Sequence, residues 1–468
     1  MRFYNLGVWS FGFDEHYTKV EALYFFEGES VPRYIISDSS VRLEDTQFVR
    51  LPSLVFCAYF VHWLDFCLFG FDEFGSRFLM ALMGSFCVGF VFLFGRYLFG
   101  LSFGFVLGVM ILLWPDHILH SQNCRFYIQS FCCISSVLFL GGLVVVRRSF
   151  VSALCLGPAL FVMVFTHSLS VLIWGILLSG VFFDLCVCKF RVDASYWRVI
   201  FVLIIWSVIL FLACIFYIFP LVGSWNNFPT SSIDSIHSAF CLAVSLGWSF
   251  FMLFIPAWLF VLFNFRKPGY VYWFVCATLC GLAILILPIK LVYISHYNFL
   301  FSFPFFVILA LFIDWVAKLI MRSRVPNGFY LACVWVIFVL LSNVPVLASY
   351  YQDGGRCDWR AVYKYVKENW QENDRIICFL LDANYYIPDI GAKISIRDVN
   401  EKTLQNIIDE NRDCKGRIWI PVVCTRYQPD QKTKYWLYNN ANYQTNFGKK
   451  RYDFNINNVE LFFFKFED

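Results

Sequence analysis

Apolar runs close to the length of a bilayer crossing recur from about Ser76 to Ser349, and nothing constrains the fold of this 468-residue chain more. A helix of about 20 predominantly apolar residues bridges the hydrocarbon core. Inside that core every backbone N–H and C=O must find a partner within the protein, which a helix provides. The run limits predict ten spans, at 77–96, 101–117, 126–146, 150–166, 168–187, 199–220, 239–263, 270–289, 298–318 and 328–348. Hydrophobic residues make up 59% of the chain and charged ones only 15%, so it is not an ordinary soluble domain. The net charge of +4 is small and scattered, which argues against nucleic acid as a partner. The predicted class is a mainly α-helical, polytopic membrane protein.

Lys and Arg fall in every second short loop: Arg96; Arg147 and Arg148; Lys189, Arg191 and Arg198; Arg266 and Lys267; Lys318, Arg322 and Arg324. The loops between hold only Arg125 and Lys290. Basic loops stay cytoplasmic, so residues 1–76, the alternate loops and everything after about Ser349 are predicted to lie outside. All seven histidines, His16, His62, His117, His120, His167, His237 and His296, fall on that outer side. Such a bias towards titratable side chains locates the working face. Ten spans with an outer C-terminus also leave the N-terminus outside, with no secretory signal to carry it there. Eleven spans are therefore expected, Arg2-Phe3-Tyr4-Asn5-Leu6-Gly7 being the end of a first helix that precedes Met1. Leu54–Leu68 could repair the count instead, but His62 and Asp65 within it favour an interfacial helix on the outer surface.

Asp14-Glu15 stands on the same side, at the edge of the bilayer. Paired carboxylates there are costly unless solvated or used, so the pair is the first candidate for chemistry. After Tyr350 the character changes. Asp358 is placed as the N-cap of a helix, Arg375–Leu381 and Ile418–Cys424 read as strands, and Glu401–Asn411 reads as a helix. Two strands, Arg451–Asn455 and Val459–Phe466, end the chain. Residues 349–468 are thus expected to form a small extracytoplasmic α/β domain. Its Cys357, Cys378, Cys414 and Cys424 either pair, in one of three connectivities, or remain buried thiols.

Four stretches carry a resemblance to a known family. They are Leu6-Gly7 through Phe13-Asp14-Glu15-His16-Tyr17-Thr18, Leu68-Phe69-Gly70-Phe71-Asp72-Glu73-Phe74-Gly75-Ser76-Arg77-Phe78, Pro115-Asp116-His117 through Arg125-Phe126-Tyr127, and Asp358-Trp359-Arg360-Ala361-Val362. A weaker fifth runs from His296-Tyr297 to Phe303-Pro304. In order and membrane side they resemble the polytopic C-type glycosyltransferases. The nearest likeness is to glycosyltransferase family 39, which includes protein O-mannosyltransferases, and to the aminoarabinose transferases of lipid A. His296 stands where the family usually has Arg, and His16 replaces a usual small residue.

The resemblance implies a helical glycosyltransferase core over 77–348, preceded by an outer-face loop with interfacial helices and the acidic motif over 1–76. It implies transfer of a sugar from a polyprenyl-phosphate donor to a lipid, glycan or protein hydroxyl on the outer face of a bacterial inner membrane. One displacement gives inversion. Asp14 is expected to be the general base, with Glu15 orienting the acceptor or sharing its proton. The departing phosphate needs cations, for which Arg125 comes first, then Lys290 and Arg77. Tyr127, His296 and Tyr297 are further donor contacts, and His16, Asp116 and His117 form a second candidate acidic or acceptor site. Asp72-Glu73 reads as an exposed loop. No Asp-x-Asp motif occurs in the outer loops, so no cofactor is expected, a divalent ion at Asp14-Glu15-His16 being the minority alternative. A secondary transporter or lipid flippase would place ionisable residues mid-span. Asp184, Asp193 and Asp314 lie instead near the cytoplasmic ends of the spans. That class, and an inactive relative, remain the competing readings.

Overall fold

The computed structural model describes residues 2–4, 6–7, 13–27, 55–187, 194–217, 248–290, 297–321, 341–348, 350–351, 358–378, 386–387, 389–390, 393–395, 400–412, 415–423, 431–447 and 459–466. The chain divides into two compact units. The first is Met1–Phe3, Arg50–Val61 and Leu79–Leu347; the second is Tyr4–Val49, His62–Phe78 and Ala348–Asp468. Residues 1–76, a separate region in the sequence reading, are thus shared between them.

Two helices precede the bundle, α1 (Phe13–Glu27) and α2 (Phe56–Phe69). The bundle itself follows as α3 (Gly75–Phe99), α4 (Leu101–Leu113), α5 (Pro115–Ser121), α6 (Tyr127–Arg147), α7 (Phe150–Val164) and α8 (Val171–Val187). It continues with α9 (Ala194–Tyr217), α10 (Trp248–Phe263), α11 (Tyr270–Lys290), α12 (Asn298–Phe301) and α13 (Phe303–Met321). Over its described residues, each predicted span from 77–96 to 298–318 therefore falls on a helix or a helix pair. Of the last, 328–348, only 341–348 is described, and it too is helical.

By length and hydropathy, Gly75–Phe99, Tyr127–Arg147 and Trp197–Ile215 can each cross a bilayer unaided. The bent pair Leu101–Leu113 and Pro115–Ser121 makes a fourth crossing if taken as one span. α9 leaves Phe201, Ile204, Val208 and Phe211 exposed along one face. An apolar face of that size needs lipid or protein against it, as expected of an integral membrane protein.

Two local features shape the bundle. Gly100, at φ +103°, turns the chain from α3 into α4 in a backbone conformation that L side chains rarely adopt. A Cβ at Gly104 would meet the Phe92 carbonyl at 2.6 Å, so α3 and α4 approach backbone to backbone. The second feature departs from the sequence reading, which runs one span through 101–117. Proline disfavours the α conformation in the residue before it. Trp114 accordingly sits at φ −69°, ψ 118°, and the helix bends by 62° between α4 and α5. Trp114 then fills the space between Phe131, Phe299 and Phe306.

α6 sets the depth of this unit. Its 21 residues rise about 31 Å, close to the hydrocarbon thickness. At one end Arg147 donates to the Tyr97 carbonyl, and Lys267 lies over the Tyr270 ring. The other end carries α5, the start of α8 and α12, where His117, His120 and His167 gather.

In the second unit, Asp358 caps α14 (Trp359–Glu368) by accepting from Ala361 N at 3.1 Å, as the sequence predicts. A five-stranded sheet has the order β2 (Lys393–Ser395), β1 (Arg375–Cys378), β3 (Arg417–Val423), β5 (Val459–Lys465), β4 (Asn442–Phe447). β2, β1 and β3 run parallel, whereas β5 is antiparallel to both β3 and β4. α15 (Glu401–Glu410) and α16 (Gln431–Asn440) belong to the same unit.

Asp374 ties the turn before β1 to β3. Burial opposes its charge, but Arg417, Trp419 Nε1 and the backbone N–H groups of Arg417 and Gln371 all donate to it. Together they hold the carboxyl below its usual range. Cys378 is buried on β1, while Cys357, Cys414, Cys424 and the expected strand Arg451–Asn455 lie outside the described residues.

Candidate active site

α1 buries Glu15, Thr18, Lys19, Ala22 and Leu23, a stripe at i, i+3, i+4, i+7 and i+8. That spacing makes one helix face, and here the face carries two charges. Each is answered from the segment that opens α3. Arg77 Nε donates to Glu15 Oε1 at 2.9 Å and Arg77 Nη2 to Glu15 Oε2 at 2.8 Å. The pair is bidentate, with side-chain exposures of 0% and 4%. Arg77 Nη1 also donates to the Leu6 carbonyl at 3.0 Å. Lys19 Nζ donates to the Phe71 carbonyl. The structure thus joins the first and second sequence motifs through Arg77 and Glu15. It commits Arg77 to the acidic helix, whereas the sequence reading counted it among the phosphate contacts. Asp14 belongs to α1 by its backbone; its side chain and that of His16 lie outside the described residues.

The loop feeding α3 is equally constrained. Asp72 Oδ1 accepts from Gly75 N at 2.7 Å and caps the helix. A Cβ at Gly75 would stand 2.3 Å from the Phe69 carbonyl, so only glycine fits there. The sequence reading of Asp72-Glu73 as an exposed loop is corrected at Glu73, which is 5% exposed. Its Oε1 accepts from Arg360 Nη2 at 2.7 Å and from the Tyr386 hydroxyl at 3.0 Å. A carboxylate this buried requires such partners, and the DWR motif supplies one of them.

A second polar cluster lies in the first unit, at the end of α6 away from Arg147. His117 on α5 is fully buried, and its Nδ1 accepts from Arg2 Nη2 at 2.8 Å. Gln122 Nε2 donates to the Arg2 carbonyl at 2.9 Å. His120 packs on Tyr127 and Phe299, at 5.0 and 4.4 Å between ring centroids. His167 packs on Phe126 at 5.2 Å and on Tyr297 at 5.5 Å. The Arg125 guanidinium lies over the Phe126 and Tyr127 rings at 4.7 and 5.6 Å, a cation–π arrangement. Asp116 is half-buried beside them in sequence. Arg125, Tyr127, Tyr297 and His117 are therefore gathered at one end of the bundle. Lys290 belongs to α11 by its backbone, with its side chain outside the described residues, and His296 lies outside them altogether.

His167 occupies the turn between α7 and α8. Its Nδ1 accepts from Leu169 N at 3.2 Å, which leaves the ring proton on Nε2. Burial first, and then the Arg125 charge, lower its pKa to about 3. Folded and unfolded chains both hold it neutral above about pH 6.5. As pH falls below that value the unfolded state takes up a proton that the folded state refuses. Stability should therefore drop by about 1.4 kcal/mol per pH unit between roughly 6.5 and 3. Thermal unfolding of wild type and His167→Asn at stepped pH tests this, and an unchanged slope in the variant would remove His167 as its source.

Sequence reasoning missed Arg2, Lys19, Gln122, Glu73, Arg360 and Tyr386. Lys19, at i+4 from Glu15, carried a readable signal, since opposite charges at that spacing share a helix face. Arg360 sat within a recognised motif, but no local pattern pairs it with Glu73 across 287 residues.

Among solved structures, ArnT from Cupriavidus metallidurans in the apo state matches with a TM-score of 0.58 at 10% identity, over 99% of this chain and 95% of that one. The same protein bound to undecaprenyl phosphate matches at 0.58 and 11% identity with equal coverage. No protein-family model matches the sequence. No curated protein matches it either. The likeness is one of fold, over nearly the whole of both chains, and it agrees with the fold that the four motifs imply.

Proposed function

We propose that this chain is an integral-membrane glycosyltransferase that moves a sugar from a polyprenyl-phosphate donor to a hydroxyl acceptor, with Asp14 as general base. One observation carries the reading: on an ArnT-like fold, the buried Arg77–Glu15 pair fixes the helix that presents position 14. Successive helix positions lie about 100° apart, so locking Glu15 onto Arg77 sets the direction in which position 14 projects. Both Glu15 oxygens accept from Arg77, which favours an orienting role over proton sharing.

The acceptor oxygen attacks the anomeric carbon and its proton passes to the Asp14 carboxylate. The bond from that carbon to the phosphate oxygen breaks, and polyprenyl phosphate departs with the electron pair. A phosphate leaving group needs no acid, so a single base suffices. One in-line displacement inverts the anomeric centre. The undecaprenyl phosphate bound by ArnT supports a polyprenyl carrier here. Arg125, braced by two aromatic rings beside a neutral His167, is the candidate for the phosphate, with Tyr127 and Tyr297 nearby. No step requires a metal.

The test reconstitutes the full chain in liposomes holding undecaprenyl-phosphate-linked radiolabelled sugar and a membrane acceptor fraction. The expected product is a glycoside of inverted anomeric configuration. Labelled lipid crossing the bilayer with no glycoside formed would replace this reading with a flippase.

A further inference from the structure

The second unit contains a bracket whose two halves come from opposite ends of the sequence. Residues 71–77 form its middle. From one side α1 grips them, through Lys19 on the Phe71 carbonyl and Glu15 on Arg77. From the other side the C-terminal residues grip them, through Arg360 and Tyr386 on Glu73. The backbone at Leu6-Gly7 is held likewise: Arg77 donates to the Leu6 carbonyl and Arg360 to the Gly7 carbonyl at 3.3 Å. Two Arg–Glu pairs thus straddle one short segment. Asp358 caps α14 and buried Trp359 and Val362 anchor it in the domain core, so the base of Arg360 is rigid.

We infer that Arg360 is a positioning residue for the reaction: through Glu73 and residues 71–77, the C-terminal α/β domain holds α1, and with it position 14, in register. This inference rests on the transferase reading above, but its first readout does not. Arg360 touches neither donor nor acceptor in this scheme; it acts through the loop. A shift of about 1 Å in a reacting group costs on the order of 10²-fold in rate, so a clamp at this distance can govern turnover without contributing to binding.

The test uses the full chain in lipid nanodiscs, as wild type, Arg360→Ala, Glu73→Gln, Arg360→Lys and Tyr386→Phe. Amide hydrogen exchange is followed over Phe13–Glu27, with Tyr127–Arg147 as internal reference. Arg360→Ala and Glu73→Gln should speed exchange in Phe13–Glu27 by about tenfold or more, the equivalent of one charged hydrogen bond, and leave the reference unchanged. With undecaprenyl-phosphate-linked labelled sugar, kcat should fall on the order of 10²-fold at unchanged KM. Arg360→Lys should restore part of it, and Tyr386→Phe should give a smaller effect in the same direction, so failure of one variant to fold leaves the others decisive. Unaltered exchange in Phe13–Glu27 would overturn the clamp. Faster exchange with unaltered kcat would overturn its role in the reaction. An active Asp14→Asn would instead overturn the proposed base and leave the exchange result standing.

Discussion

Asp14→Asn is expected to lower sugar transfer by roughly 10²–10⁴-fold, the usual contribution of a positioned base. The amide keeps the size and hydrogen-bonding shape of the carboxylate but cannot take the acceptor proton. Donor affinity should stay near wild type, because the phosphate is assigned to groups at the α6 end of the first unit, Arg125 foremost. Stability should also hold, since the substitution leaves the buried Glu15–Arg77 pair that anchors α1 intact. Steady-state transfer at saturating undecaprenyl-phosphate-linked sugar, with thermal unfolding run in parallel, separates these quantities. A variant that retains full kcat would remove Asp14 from the chemistry, whatever becomes of the helix. A variant that loses kcat and also unfolds early would point to a structural residue instead.

The helical bundle was legible because bilayer thickness imposes a length on each apolar run, and length survives in sequence without any partner. The α/β domain was half legible. β1, β3 and β5 are apolar runs buried in the sheet, and each was anticipated near its observed limits. β4 (Asn442-Tyr443-Gln444-Thr445-Asn446-Phe447) and the three-residue β2 were not, because a polar edge strand reads as loop until its neighbour is known. Asp14-Glu15 stood out because carboxylates are rare near apolar spans. What answers Glu15 did not stand out, since Arg77 was counted among the phosphate contacts; nor did the Arg360–Glu73 pair, since Glu73 read as a loop acid. Burial decided both, and burial is a property of packing that no single stretch of sequence contains.

Arg77→Ala is expected to destabilise the protein by about 3–5 kcal/mol, because it strands a carboxylate that is almost fully buried. Against a total of roughly 5–15 kcal/mol for a folded domain, that loss should lower the thermal midpoint sharply and abolish transfer. The discriminating variant is the double one. Removing both charges with side chains of similar bulk, Glu15→Leu with Arg77→Met, should return most of the stability, since an apolar pair avoids the desolvation penalty. A residual deficit of about 1 kcal/mol remains for the Leu6 carbonyl that loses its donor. Transfer should nevertheless stay low in the double variant, because a greasy contact does not fix the rotation of α1 as two parallel N–H···O bonds do. Arg77→Lys should fall between, keeping the charge but losing the fork. Thermal unfolding and transfer measured on the same four preparations decide the matter. If stability and transfer recover together in the double variant, the ion pair is only packing and the orienting role assigned to it fails. If stability recovers and transfer does not, the direction of α1 is what the buried charges provide.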